Sequence, residues 1–451
     1  MNPSTRSGLS GEYDLQTPSS RRRFILNTSA FATAASLYPT TWGWASTKRQ
    51  RPRVAAVMTV FTHRSHGHVI MENFLGKYHF NGNLTDPGVD VASLYVDQFP
   101  DGDMSRKVAK QFGIPIFPTI GEAMRVGGRQ LAVDAVLSIG EHGSYPINER
   151  GQTEYPRKRF FDEIVTAMRQ SNRYIPVFND KHLSFRWDWA KEMYDTSAAW
   201  GIPLMAGSSV PLAERRPQLQ LPPHSEITEA ISIHGGPVES YDFHGLEVLQ
   251  SMVEGRHGGE SGVASVEFVS GKELWKAAEQ GRWSPSLAKT AMAAELGQEP
   301  SSLEQLPGEP KVAPHAILLR YRDGFKATVL KVGRSSTRWN FACRLKGESQ
   351  PQATSFYVGP WQNRCLFKAL SHAIQHHFKT GRAPYPVERT LMVTGILDAA
   401  MQARQQKQPV STPHLSIGYA ARDFSAMREL GSSWNLITEN MPEPQGLGEG
   451  I

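Results

Sequence analysis

The feature of this 451-residue chain that most limits its fold is an alternation of short apolar runs and helix-like segments. The segments between the runs carry apolar residues at helical spacing. The six runs of strand length are residues 53–61, 89–96, 114–117, 131–139, 174–178 and 202–206. Strands that alternate with helices predict a parallel, doubly wound α/β sheet, because a parallel strand is reached only through a crossover. The sequence therefore predicts a first domain of this class over residues 53–210.

The pattern changes in the second half of the chain. There the apolar runs follow one another without long helices between them, at residues 263–269, 316–321, 327–332, 340–345 and 354–358. Antiparallel pairing is the economical interpretation of such a series. With helices expected near residues 366–378 and 387–403, residues 211–435 are predicted to form an α+β domain with a mostly antiparallel sheet. The Pro- and Gly-rich end, residues 436–451, is predicted to be a disordered tail.

Composition excludes several classes of function. The net charge of +6 comes from 49 basic and 43 acidic residues, which is a mixed surface, so we expect no nucleic-acid partner. Beyond the N-terminal segment no stretch is long and apolar enough to predict a membrane span. The two cysteines, Cys343 and Cys365, are too few for a Cys-rich zinc site. They predict either one disulfide or two buried thiols.

The N-terminus carries an export pattern. Ser20 is followed by the consecutive arginines Arg21, Arg22 and Arg23, and then by Phe24 and a weakly hydrophobic segment too short to span a bilayer. This arrangement is typical of a twin-arginine signal. We therefore predict that residues 1–50 are a signal and linker, that the twin-arginine translocase is a transient partner, and that the protein is periplasmic or otherwise extracytoplasmic.

A candidate site follows from the predicted topology. Ligands of a doubly wound sheet bind beyond the carboxyl ends of its strands, and polar residues stand at these ends. A second group lies in residues 233–263, where His244 and Glu247 are three positions apart and would share one face of a helix. Histidines, carboxylates and a lysine at one edge of a sheet suit proton-transfer chemistry. The sequence therefore predicts a chemical site there.

Several local motifs resemble those of the Gfo/Idh/MocA (glucose–fructose oxidoreductase, inositol dehydrogenase) family. They are Asp134-Ala135-Val136, matching the family's D-A-V; Asn179-Asp180-Lys181-His182, where it has E-K-P; His244 and Glu247, where it has H-x-x-D; and residues 381–386, similar to its G-x-P-x-P. The resemblance covers residues 53–435. It implies a Rossmann-like dinucleotide-binding-type domain followed by an α+β substrate and oligomerisation domain, and hence a homo-oligomer.

The same resemblance implies an oxidoreductase that acts on a carbohydrate or polyol with NAD or NADP. Lys181 and His244 inherit the catalytic positions, and Glu247 would orient His244. Both residue types are apt, because a desolvated ammonium has a lowered pKa and an imidazole changes its charge near neutral pH. By position, the residues implied to bind the cofactor are His66, Gly67, Asp97, Glu141, His142 and Asp180.

Departures from the family pattern support an alternative. The loop after the first run, FTHRSHGH, keeps only Gly67 of the glycine fingerprint that lets a backbone approach a pyrophosphate. Glu141 and His142 also place ionisable groups where a nicotinamide would lie. Because imidazoles and carboxylates suit divalent metals, the alternative is a metal-dependent sugar lyase, hydrolase or isomerase, or a non-catalytic glycan-binding protein, on the same fold. No spacing typical of metal ligands marks the rim, so no metal ligands are assigned.

Overall fold

Two large β-sheets, a two-stranded β2–β3 sheet and the helices between and around them make up the described part of the protein. The structure, a computed structural model, describes residues 51–447, so the predicted signal and linker over residues 1–50 lie outside the described residues. The strands are β1 (Arg53–Met58), β2 (Tyr78–Phe80), β3 (Asn83–Thr85), β4 (Asp90–Val96), β5 (Ala135–Ile139), β6 (Val177–Asp180), β7 (Leu204–Gly207), β8 (Glu214–Arg216), β9 (Ile227–Gly235), β10 (Val263–Ser270), β11 (His315–Tyr321), β12 (Lys326–Lys331), β13 (Ser335–Leu345), β14 (Gln352–Tyr357) and β15 (Val410–Ser411). The helices are α1 (His66–Leu75), α2 (Ser105–Phe112), α3 (Ile120–Arg125), α4 (Arg157–Gln170), α5 (Trp187–Trp200), α6 (Ser240–Val253), α7 (Lys272–Glu279), α8 (Pro285–Leu296), α9 (Phe367–Thr380) and α10 (Val387–Gln406). Within residues 51–447, no helix has the length and apolar character needed to cross a membrane.

The first sheet has five parallel strands in the order β4-β1-β5-β6-β7. Val54 and Ala56 of β1 belong to one hydrophobic cluster, and Ala55 and Val57 belong to another. Both faces of the strand are thus buried, which is why β1 is apolar at consecutive positions. The order reverses between β1 and β5, and this reversal is where such sheets bind ligands. The Rossmann-like class predicted from the sequence is confirmed.

The predicted third strand, residues 114–117, is not a strand of this sheet. Ile116 forms a single bridge with Leu94, supported by hydrogen bonds from Leu94 N to Pro115 O and from Phe117 N to Leu94 O. Pro115 and Pro118 have no N–H to donate. The segment therefore lies beside β4 without extending the ladder.

The second sheet has eight strands in the order β15-β10-β11-β12-β9-β13-β14-β8. All of its neighbours pair antiparallel except β12 and β9, which are parallel. The sequence analysis missed the central strand β9, although the alternation of Ile231 and Ile233 was an available signal. Helices α6 and α10 pack between this sheet and the first, and α8 covers the opposite face. The mostly antiparallel sheet is confirmed.

The two cysteines are buried free thiols rather than a disulfide. Burial raises the pKa of both Cys343 and Cys365 to about 12. A thiol with a pKa this high carries almost no thiolate at neutral pH and is chemically inert. The sequence predicted either one disulfide or two buried thiols, and the structure has two buried thiols.

The C-terminal residues up to 447 differ from the expected disordered tail. Ile437 and Leu447 are buried, and the Glu443 carboxylate pairs with Arg64 and, at 2.9 Å, with Arg364. Apolar anchors and a carboxylate that joins two arginines fix the segment despite its Pro- and Gly-rich composition. Composition alone could not indicate these distant contacts.

Candidate active site

The candidate active site lies at the carboxyl edge of the first sheet, where it meets the start of α6. Lys181 directly follows β6, and Glu141 lies two residues beyond the end of β5. His66 begins α1, and His244 lies in the second turn of α6. All four side chains are buried. Side chains predicted from separate parts of the sequence are thus brought to one edge.

The centre of the site is an ion-paired group built on Glu141. Lys181 Nζ donates to Glu141 Oε1 at 2.7 Å, and the Arg157 guanidinium pairs with the other carboxylate oxygen. Burial alone would raise the pKa of Glu141, but the charges of Lys181 and Arg157 hold it well below its usual value. Two cations and one carboxylate leave a net positive charge, which favours a substrate oxygen that develops negative charge.

Arg157 connects this group to His182 and Glu239. Its Nη1 donates to His182 Nε2 at 3.0 Å, and burial together with the Arg157 charge holds the pKa of His182 well below its usual value. The Glu239 carboxyl lies 3.7 Å from the same Nε2. Burial, and then repulsion from Glu141, raises the pKa of Glu239 to about 7. Glu239 is therefore a group that exchanges a proton near neutral pH.

Arg157 and Glu239 are site residues that were not predicted from the sequence. Arg157 begins α4, which follows a seventeen-residue connection after β5 that gave no positional signal. Glu239 precedes α6 as its N-cap, where its side chain and that of Asp242 form a capping box. An acidic residue three positions before another at a helix start is a capping signal. The sequence offered nothing to show that this cap also faces the site.

His244 is held by a serine rather than by Glu247. Ser208 Oγ lies 2.6 Å from His244 Nδ1 and also accepts from Val210 N at 3.0 Å. Burial, and then the Lys181 charge, keeps the pKa of His244 well below its usual value, so the ring is neutral. The Ser208 hydroxyl keeps its own proton while it accepts from Val210 N, so it can donate to Nδ1 of the neutral ring, and His244 then carries its proton on Nε2.

Glu247 takes a different position from the one expected. It accepts a hydrogen bond at 2.7 Å from Thr390 Oγ1 of α10, and burial raises its pKa to about 7. The expectation that Glu247 orients His244 is corrected, because the carboxylate turns toward α10 while Ser208 holds the imidazole. His244 and Glu247 are three positions apart on α6, as predicted, but His244 contacts Ser208 and Glu247 contacts Thr390.

His66, Asp180 and His142 form the rim next to β1. His66 Nδ1 lies 2.6 Å from Asp180 Oδ2, and its ring edge contacts Phe367 with 4.7 Å between centroids. The rings of His66 and His142 are 5.1 Å apart. His66 therefore contacts both Asp180 and His142, and all three are among the residues predicted to bind the cofactor.

The backbone at this edge is strained. Lys181, His142, Glu239 and Arg64 are non-glycine residues with φ of +62°, +68°, +71° and +61°. Each such conformation costs on the order of 1 kcal/mol and persists only where surrounding contacts enforce it. At Lys181 the enforcing contact is a hydrogen bond from its N–H to Gly207 O at 3.2 Å. Strain gathered at one edge is typical of a functional site.

Around the β1–α1 turn the residues do not form a phosphate cradle. A Cβ on Gly67 would lie 2.5 Å from Val60 O, so this glycine lets α1 approach β1 closely, the role of the last glycine in the fingerprint. The N–H groups of Ser65 and His68 donate to Thr62 O and Ser65 O. Amides that would point at a phosphate at a helix N-terminus are therefore engaged within the turn.

Asp97 is also engaged by the protein. Its carboxylate accepts hydrogen bonds from the Tyr95 and Tyr145 hydroxyls at 2.6 and 2.7 Å and from Arg159 at 2.5 Å. Burial would raise its pKa, but these three donors lower it. A ribose hydroxyl would have to compete with these donors for the carboxylate.

One group of potential metal-ligating side chains occurs among residues 51–447. It consists of His234, Asp242 and His315, whose donor atoms all lie within 4.8 Å of one another. Both His234 Nε2 and His315 Nε2 contact Asp242 Oδ1, at 2.9 and 2.8 Å. These are direct hydrogen-bond distances, so Asp242 anchors the start of α6 to β9 and β11 through the two imidazoles, while His234 Nδ1 is buried without a hydrogen-bond partner among residues 51–447.

The comparisons with known proteins concern the fold. No protein-family model matches the chain, and no curated protein matches it. Among solved structures, GenD2 from gentamicin A biosynthesis in complex with NAD covers 80% of this chain and 96% of its own, with 12% identity and a TM-score of 0.51. The scyllo-inositol dehydrogenase from Lactobacillus casei, with NAD(H) and scyllo-inositol bound, covers 80% and 99%, with 11% identity and a TM-score of 0.50. The fold of this chain is therefore the two-domain fold of these proteins.

Proposed function

We propose that this protein is an oxidoreductase that acts on a hydroxyl group of a polyol or sugar. The observation that carries the proposal is the convergence of Lys181, His244 and Glu239 at a buried, strained sheet edge. The proposal is supported by the fold, which a polyol dehydrogenase shares. Function still rests on the site, because one fold hosts many activities.

The chain's own residues have distinct parts in this proposal. The Lys181 ammonium and the Nε2–H of His244 hold the substrate oxygen and stabilise negative charge as it develops there. Glu239, with a pKa of about 7, is the group that can accept a proton at neutral pH. Glu141 and Arg157 position Lys181, and Ser208 positions His244.

The hydride acceptor proposed is NAD or NADP, which supplies the two-electron redox step when bound. At the catalytic end the residues suit such chemistry, because donors for an oxyanion and a proton acceptor lie together. At the phosphate end they do not, since the amides of Ser65 and His68 and the Asp97 carboxylate already have partners within the protein. For this reason no step is assigned to contacts with the dinucleotide phosphates.

The engaged amides and Asp97 favour one second candidate. It is a dinucleotide-free acid–base enzyme, a sugar lyase or isomerase, that uses the same edge. Lys181 and His244 would stabilise an enolate-like oxyanion, and Glu239 would remove the proton. The two candidates share their catalytic residues and differ in whether a dinucleotide binds.

The deciding experiment measures nucleotide content and activity. Purified full-length protein is denatured, and its supernatant is analysed for NAD and NADP by mass spectrometry. In parallel, cofactor reduction is followed with a panel of polyols and sugars that includes scyllo-inositol. We expect bound nucleotide, or reduction that Lys181→Met removes. If the protein binds no nucleotide and reduces no cofactor with any substrate, the oxidoreductase proposal is rejected in favour of the second candidate.

We further propose that the protein is exported by the twin-arginine route. The support is the sequence from Ser20 to Leu26. Replacing both Arg21 and Arg22 by lysine is expected to keep the protein in the cytoplasmic fraction, whereas replacing Lys48, outside the pattern, is not. Unchanged fractionation of the double variant would contradict this route.

A further inference from the structure

Among residues 51–447, two buried arginines on the far side of α6 form no salt bridge with a carboxylate. Arg215 of β8 is 4% exposed and Arg428 is 3% exposed. Arg215 Nη1 donates to Leu219 O at 2.7 Å, and Arg428 Nη1 donates to Gln220 Oε1 at 3.0 Å. Within residues 51–447, Arg215 Nε and both Nε and Nη2 of Arg428 find no hydrogen-bond partner. Three charged donors are therefore buried and unused.

This arrangement contrasts with the other fully buried arginines. Arg157, Arg364 and Arg389 pair with Glu141, Glu72 and Glu254, respectively. A buried charge without a partner is costly, and proteins rarely keep one without a use. Burial, and then repulsion from Arg428, lowers the pKa of Arg215 to about 9. The Arg428 charge therefore destabilises the charged form of Arg215, while the Asp423 carboxylate offsets part of the cost of burying Arg428.

Both arginines line a cavity of about 440 Å³ at the C-terminal end of α6, the end away from His244 and Lys181. Much of the remaining lining is apolar, with contributions from Leu221, Met252 and Phe424. Two acidic residues, Glu254 and Asp423, also line it. The Glu254 carboxylate is held by Arg389 and by the Tyr419 hydroxyl, and the Asp423 carboxylate accepts from Ser425 N. The unsatisfied polar groups of the cavity are thus cationic donors beside an apolar wall.

We propose that this cavity is a second binding site, which takes a small organic anion with a carboxylate or phosphate group joined to an apolar body. Guanidinium groups present paired N–H donors that match both kinds of oxyanion. The anion would pair with the guanidinium groups of Arg428 and Arg215 where they line the cavity, while its apolar part would lie against Leu221 and Phe424. The site is independent of the proposed activity, because none of its groups belongs to the catalytic edge.

The test measures the thermal midpoint Tm of the full-length protein with four probes: hexanoate, hexyl phosphate, inorganic phosphate and hexanol. Hexanoate, hexyl phosphate or both are expected to raise Tm by about 5 °C at a hundred times Kd. Hexanol lacks the charge and is expected to leave Tm unchanged. The difference between hexanoate and hexyl phosphate identifies the headgroup. Failure of both to raise Tm would overturn the proposal.

Arg428→Met separates a binding role from a structural one. With one of two repelling charges removed, the variant without ligand is expected to melt at the wild-type Tm or above it, and affinity for the effective probe is expected to fall at least tenfold. Arg215→Met repeats the test if the first variant does not fold. The matched control is Arg129→Met, an exposed arginine that should respond as wild type. If the anion raises the Tm of Arg428→Met and of Arg215→Met as much as it raises the wild-type Tm, the site is rejected.

Discussion

Replacing Lys181 by methionine is expected to lower kcat by about 10²–10⁴-fold, the range for loss of a positioned proton-transfer or oxyanion-stabilising group. The side chain keeps its length but loses the ammonium that pairs with Glu141 at 2.7 Å. Arg157 still neutralises Glu141, so we expect the variant to fold. Steady-state kinetics on the best substrate of the polyol and sugar panel provide the measurement.

Two further variants show whether Lys181 acts chemically or only supports the fold. Lys181→Arg keeps a charge beside Glu141 and should preserve Tm, but its larger planar group should not restore kcat. Lys191→Met removes an exposed lysine of α5 that pairs with Asp195, and should leave both quantities unchanged. Wild-type kcat in Lys181→Met would show that the catalytic assignment is wrong.

The protein is expected to lose stability steeply on mild acidification. Five histidines are buried and have lowered pKa values, and they are His68, His182, His234, His244 and His377. In the unfolded chain each takes up a proton below about pH 6.5, whereas in the folded protein each stays neutral. Their stabilising effect is therefore complete above this pH and is lost as the pH falls.

Glu239 and Glu247 act in the opposite direction. Their pKa values are raised to about 7, so the folded protein keeps protons that the unfolded chain releases above about pH 4.5. Their contribution is present at low pH and is lost as the pH rises through 7. The five histidines outnumber the two carboxyls, so the free energy of unfolding is expected to fall between pH 7 and pH 5.5.

Denaturant unfolding at pH 7.0, 6.25 and 5.5 tests this expectation. His377→Asn removes one buried histidine that lies away from the candidate active site, and should reduce the pH dependence by about one fifth of the histidine contribution. His224→Asn, which changes an exposed histidine, should not. A free energy of unfolding that is constant or rises toward pH 5.5 would show that these groups do not control stability.

Much of the fold could be predicted because burial of both faces of β1 and β5 leaves a continuous apolar run in the sequence. The edge occupied by Lys181, Glu141 and His244 also followed from topology, since parallel strands place their ends together. What could not be predicted depends on side-chain direction. Ser208 rather than Glu247 holds His244 because α10 places Thr390 beside Glu247, a contact between residues 143 positions apart.

The parallel pairing of β12 with β9 has a consequence for the order of assembly during synthesis. Strand β9 is flanked by β12 and β13, so its first neighbour is complete only after the ribosome has passed Lys331 and its second only after Leu345. The first sheet needs nothing beyond Gly207. In the nascent chain the first sheet can therefore form before β9 has a strand to pair with. Pairing of β9 with β12 and β13 joins segments that are far apart in the sequence, and such pairing is slow. The candidate active site, which requires α6 docked on β9, is therefore completed after the first sheet.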